Sequence, residues 1–279
     1  MKLLSLSVAS ILLSSSLFAT AQIDKKVLDF EKLRLSQNQS ITLKDVTIAT
    51  KKALPIKGWY GYRLTVEADV PGRGPIAVND MVFSDGEAFT MELINMKTGQ
   101  SFKELLMPKV TDAYYKKSHL IAGDEKAKNK VVVFSDPLCP ACQHSLPAII
   151  NIANNQSKDI ALYYYHFPLL SIHPAADAVS RAMIVAKQKG IKDIEAKVYA
   201  ANFNKYFNAK QTDEKIILDG FNKALQTNIT QAELNKTDVK DEMATDVKMG
   251  EDVMVQGTPT IFVNGVNDRD RSLFQALAQ

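Results

Sequence analysis

Hydrophobic and polar positions divide the chain into stretches of different period. Leu3 to Phe18 is an apolar run interrupted by serines, preceded by Lys2 and followed by the small residues Ala19-Thr20-Ala21. That is the layout of a secretory signal peptide over residues 1–21, with cleavage before Gln22, and the run falls short of the ~20 residues a membrane span needs. Ile23 to Leu35 then sets Ile23, Val27, Phe30 and Leu33 at helical spacing, which predicts a short amphipathic helix with those four on one face.

From Ile41 to about Leu93 the period shortens. Thr42 to Thr47, Tyr60 to Val70 and Ala77 to Phe83 are β-rich runs separated by breaks such as Pro71-Gly72. Asp85-Gly86, between Met81-Val82-Phe83 and Phe89-Thr90-Met91, signals a hairpin. A small α+β domain over residues 22–100 is expected, without a catalytic constellation of its own. In Ser101 to Asn129, Phe102, Leu105 and Leu106 suggest a helix, Pro108 interrupts it, and Lys116 to Lys130 is rich in charge. Residues 101–129 are therefore expected to form a partly helical linker.

Val131-Val132-Val133-Phe134 opens a second domain, residues 130–279, with an unbroken apolar run that suits a buried central strand. An amphipathic helix follows, and Ile160 to Tyr165 is a second strand. Pro174 to Val255 is mostly helical in pattern, punctuated at Gly190 and Gly220, and Thr260 to Val263 is a strand closed by Asn264-Gly265. This is an α/β plan.

Composition adds exclusions. The apolar fraction of 46% and charged fraction of 23% are those of a soluble globular protein. The formal charge of +3 becomes +2 if cleavage removes Lys2, and both signs are scattered along the chain, unlike a nucleic-acid groove or a polybasic membrane patch. Both of the chain's two cysteines fall in one motif, Cys139-Pro140-Ala141-Cys142, between a strand and a helix.

A helix N-terminus carries unpaired N–H groups and partial positive charge, which favour a thiolate over a thiol. Spacing of three residues sets both sulfurs on the same face of the first turn, and Pro140 sits where its missing N–H costs nothing. Cys139 is then the exposed attacker and Cys142 the resolving thiol. A purely structural disulfide would close too short a loop to constrain much. A metal site with His144 would lack a clear fourth ligand, so neither metal nor cofactor is expected beyond the redox pair. Gly257-Thr258-Pro259-Thr260 precedes a strand, where proline cannot donate to the ladder; a cis Thr258–Pro259 bond is expected, beside the cysteines and able to bind an extended client segment. Asp136 has two candidate roles, proton handling or capping the turn before the helix. A surface position is expected for His144, and architectural roles for His166 and His173.

Ser135-Asp136-Pro137-Leu138-Cys139-Pro140-Ala141-Cys142 and Gly257-Thr258-Pro259-Thr260 resemble the thioredoxin superfamily, and within it the periplasmic Dsb proteins. His166-Phe167-Pro168-Leu169 and His173-Pro174-Ala175-Ala176 resemble a segment of DsbA-like catalytic domains. The N-terminal half is similar in layout to the dimerisation domain of DsbC and DsbG. The resemblance implies a thioredoxin-like catalytic domain with a helical insertion, a cystatin-like α+β dimerisation domain and a helical linker. It implies a V-shaped periplasmic homodimer acting on misfolded secreted proteins, with a membrane redox partner. Cys139 is then the nucleophile, Cys142 the resolving thiol, and Thr258-Pro259 the substrate-binding loop. The second cysteine pair of many DsbC relatives is absent, and Ala141 stands where DsbA has histidine. Isomerase or reductase activity is the leading expectation; a dimeric oxidase and a client-binding chaperone are its rivals.

Overall fold

The computed structural model describes residues 7–71 and 74–278, with side chains of 7–20 outside the description. The chain divides into two units, Met1–Met107 and Pro108–Gln279.

In the first unit, helix α1 (Ser7–Ser36) precedes four strands: β1 (Thr42–Ala53), β2 (Tyr60–Val70), β3 (Gly74–Ser84) and β4 (Phe89–Thr90). They form one antiparallel sheet in sequence order. On β2, Tyr62, Leu64 and Val66 point to one face and pack with Val27 of α1, because side chains alternate along a strand. The Asp85-Gly86 turn forms the β3–β4 hairpin, held by the Asp85 carboxylate, which accepts from Ala88 N at 2.8 Å. Gly72 of the Pro71-Gly72 break lies outside the described residues, as do residues 1–6 and the side chains of 7–20 within the expected signal peptide.

The buried face of α1 departs from expectation. Phe30 and Leu33 are 47% and 58% exposed, whereas Val27 and Glu31 face the sheet. Those two stand four residues apart and so stack on one face. Glu31 is wholly buried because Arg34 grips it through two hydrogen bonds, 2.6 and 2.8 Å, and itself reaches Asp80.

In the second unit, β5 (Leu120–Gly123), β6 (Asn129–Ser135), α2 (Pro140–Asn155) and β7 (Ile160–His166) come first. Helices α3 (Ala176–Gln188), α4 (Ile194–Ala200), α5 (Glu214–Leu225), α6 (Gln231–Leu234) and α7 (Thr237–Asp252) follow. Strands β8 (Thr260–Val263) and β9 (Val266–Asn267) and helix α8 (Ser272–Leu277) close the chain. The sheet is mixed, in the order β5-β7-β6-β8-β9, with only β6 and β7 parallel. Central β6 is buried on both faces: Val131 and Val133 join the core beneath α2 and α3, while Val132 and Phe134 join a second cluster with Tyr163, Tyr165 and Phe262.

The expected linker over 101–129 is divided between the units. Phe102 and Leu106 are buried in the first, where Leu106 lies against Gly61, too close for a larger residue to be accommodated without a shift. Tyr114, Ala122 and Ala127 are buried in the second, and β5 pairs with β7. No α-helix occurs there among the described residues; the turns at Phe102–Leu105, Asp112–Tyr114 and Lys117–His119 are 3-10. The charges of Lys116–Lys130 decorate this edge of the sheet. Gly220 also differs: it lies inside α5, where the Phe207 ring occupies the space a Cβ would need.

Candidate active site

β6 and β8 are neighbours, with Phe134 opposite Thr260. This register brings the loop leaving the end of β6 against the loop entering β8, and both predicted motifs lie there. Cys139 caps the N-terminus of α2 with extended backbone, Pro140 takes the first turn, and Gln143 N donates to Cys139 O at 2.9 Å. The Thr258–Pro259 peptide is cis. The Cys139 thiol donates to the Thr258 carbonyl at 3.4 Å.

Both cysteines are free thiols. Both are buried, so the exposure expected of Cys139 is not found: it is 7% exposed, and Cys142, one turn further in, is at 0%. Burial pushes the Cys142 thiol up to about 12, with Ser135, the Asp136 backbone and Thr258 acting in the opposite direction. Thr258 Oγ1 is buried with no hydrogen-bond partner among the described residues.

Asp136 is wholly buried. Its carboxylate accepts from Leu138 N at 2.7 Å, Leu169 N at 2.9 Å and His173 Nδ1 at 2.8 Å. These contacts cap the turn before α2 and tie the Cys139 loop to the loop after β7. His173 thereby has the architectural task expected of it. His144 is exposed on α2. His166 is buried, its Nδ1 without a partner among the described residues, and burial lowers it to about 4.

Several side chains at the site carried no sequence signal. Ser135 Oγ lies 2.6 Å from Tyr199 Oη, which lies 2.9 Å from Tyr164 Oη, all buried. Arg271, at the head of α8, donates to the Pro259 carbonyl and, at 3.0 Å, to that of Asp268. The Asp268 carboxylate, itself buried, accepts from Leu273 N and Phe274 N at 3.0 and 2.8 Å. Arginine and tyrosine are common in folded chains, and neither arrangement follows a short spacing. Beside the pair, a cavity of about 390 Å³ is lined by Leu138, Pro140, Gln143, His173, Phe203 and Phe207, among others. Among the described residues no group of three or more His, Cys, Asp or Glu is placed to hold a metal ion, and no helix is long and apolar enough to cross a membrane.

The thioredoxin family model matches residues 116–277, more than half the chain. The chain belongs to the thioredoxin family. Its second unit has the thioredoxin-like fold, with a mixed sheet and a helical block between β7 and β8. No curated protein matches the chain. Solved thioredoxin-like structures similar to it include an oxidoreductase from Silicibacter pomeroyi (18% identity, TM-score 0.46, covering 60% of this chain and 95% of that one). Pseudomonas aeruginosa DsbA2 is similar at 17% identity and TM-score 0.41, over 53% of this chain and 83% of its own. A putative protein-disulfide isomerase from Pseudomonas syringae is similar at 14% identity and TM-score 0.45, over 56% of this chain and 90% of its own.

Proposed function

We propose that this thioredoxin-family protein is a periplasmic thiol–disulfide oxidoreductase of the Dsb type, acting as isomerase or reductase on misfolded secreted proteins. The observation that carries the reading is the Cys139 thiol on the Thr258 carbonyl, with Cys142 buried one turn behind it. The Cys139 sulfur attacks a client disulfide; a Cys139–client disulfide forms and the second client sulfur leaves as thiolate. That thiolate then attacks another client disulfide, or Cys142 attacks Cys139 and releases the client reduced, leaving Cys139–Cys142 oxidised. A membrane redox partner restores the dithiol. Thr258 and Pro259 present backbone to an extended client segment, in the manner of strand addition.

The signal segment over residues 1–21 directs export, and the first unit, of the cystatin-like kind, joins two copies. Its exposed apolar side chains, Phe30, Leu33, Ile94 and Met96, support that reading. Light scattering of the exported chain is expected to give twice the monomer mass; a monomer mass contradicts the dimer.

Insulin reduction and rescue of a scrambled disulfide substrate test the activity. Cys139→Ala is expected to abolish both while suppression of client aggregation persists; catalysis surviving the change overturns the proposal. The in-cell state of the pair sets direction: mostly reduced for an isomerase, mostly oxidised for an oxidase.

A further inference from the structure

Two different features flank the attacking cysteine. Its thiol lies on the Thr258 carbonyl at 3.4 Å, while its chain neighbours, Leu138 and Pro140, line the cavity of about 390 Å³. Neither Thr258 nor Pro259 is among the cavity walls, so the space is separate from the loop proposed to hold client backbone. Leu138, Phe203 and Phe207 are buried, whereas Pro140, Asn202 and Asn204 are exposed, and the cavity opens to solvent beside the motif. Its volume lies at the small end of ligand cavities.

The walls favour one kind of occupant. Phe221 and Phe203 stack with ring centroids 6.1 Å apart, and Phe203 meets Phe207 at 5.4 Å. This row of rings ends at the cavity, where a further ring can extend it at the spacing aromatic pairs prefer. The Phe207 ring is held in place, because a Cβ on Gly220 would stand 2.6 Å from it and only glycine leaves it that room. His173 supplies a polar end. Its Nδ1 donates to the Asp136 carboxylate at 2.8 Å, and its Nε2 has no partner among the described residues. In a neutral ring with Nδ1 protonated, Nε2 is an acceptor. An apolar ring carrying a hydroxyl at its tip matches both the phenylalanines and this nitrogen.

We infer that the cavity is a subsite for a tyrosine side chain adjoining the client's disulfide cysteine, its ring against Phe203 and Phe207 and its hydroxyl donating to His173 Nε2. This rests on the reading of the cysteine pair as exchange-active. Backbone pairing at Thr258-Pro259 gives affinity without regard to client sequence; a pocket for the neighbouring side chain adds a choice among client disulfides.

Symmetric disulfide dimers of short peptides test this on the full chain. One series places Ala, Leu, Phe or Tyr immediately before the cysteine and the other immediately after it, and the reduced protein is followed through a single turnover. Cys139 attack forms a Cys139–peptide disulfide and releases the second peptide as a thiol; Cys142 then closes the Cys139–Cys142 bond and releases the first. In one of the two series tyrosine is expected to react on the order of tenfold faster than alanine, with phenylalanine and leucine between them. Ala209→Leu, which narrows the cavity, is expected to bring that ratio close to one. Damage to folding lowers both rates and leaves the ratio standing. Leucine or phenylalanine as fast as tyrosine, no difference in either series, or an undiminished ratio in Ala209→Leu overturns the inference. No reaction with any peptide overturns the exchange reading itself, and the subsite with it.

Discussion

The Cys139 thiol and the Thr258 carbonyl oxygen stand 3.4 Å apart although 119 positions separate the residues in sequence. The link is the antiparallel pairing of β6 with β8: one strand ends just before the Cys139 loop, and the other begins where the Thr258–Pro259 loop ends. The whole helical block from α3 to α7 is inserted between them without disturbing that register.

Asp136 ties this arrangement to the loop after β7. Replacing it with Ala strands the Leu138 and Leu169 amides, and buried unsatisfied donors cost about 1–3 kcal/mol each. Asp136→Ala is therefore expected to lose about 3 kcal/mol or more in urea unfolding, and Asp136→Asn less, because it keeps one acceptor oxygen. A loss below about 1 kcal/mol in the Ala variant contradicts the anchoring role.

Arg271 holds the carbonyl of Pro259 and that of Asp268 with one guanidinium fork. Arg271→Ala is expected to loosen the Thr258–Pro259 loop proposed to bind clients, raising KM for a peptide disulfide several-fold while kcat changes less. Arg271→Lys recovers little, because a single ammonium does not reproduce the planar fork. Steady-state kinetics check both, and an unchanged KM in the Ala variant excludes the role.

His166 makes stability depend on pH. Its folded value, about 4, lies below the ordinary 6.5, chiefly through burial, with His119 and Lys187 lowering it further and Asp246 opposing. Between those values the unfolded chain binds the extra proton and the folded chain does not, so stability falls as pH drops through the window. The contribution reaches about 3 kcal/mol below it. His166→Leu is expected to remove this part of the acid sensitivity, read as the difference between the two urea-unfolding curves from pH 7 to 4. Parallel curves refute it.

Much of this was legible in sequence where one local pattern dominates. The unbroken Val131–Phe134 run became the doubly buried β6, and Asp85-Gly86 became a hairpin turn. Legibility failed where distant residues decide. The inward turn of α1 depends on Arg34, itself held by Asp80, satisfying buried Glu31, which helical spacing of apolar residues does not register. Residues 101–129 read as a partly helical linker because their buried positions are sparse and lie on an edge strand and 3-10 turns. Tyr164, Tyr199 and Ser135 resemble ordinary core residues until β6, β7 and α4 are assembled.

Trapping the mixed disulfide tests the central claim most directly. With Cys142→Ala and a disulfide-bonded client peptide, intact-mass analysis is expected to show one peptide per chain, attached at Cys139. Cys139→Ala should show almost none in the same time, because its remaining sulfur is buried. Equal trapping by the two variants, or none by Cys142→Ala, contradicts the account.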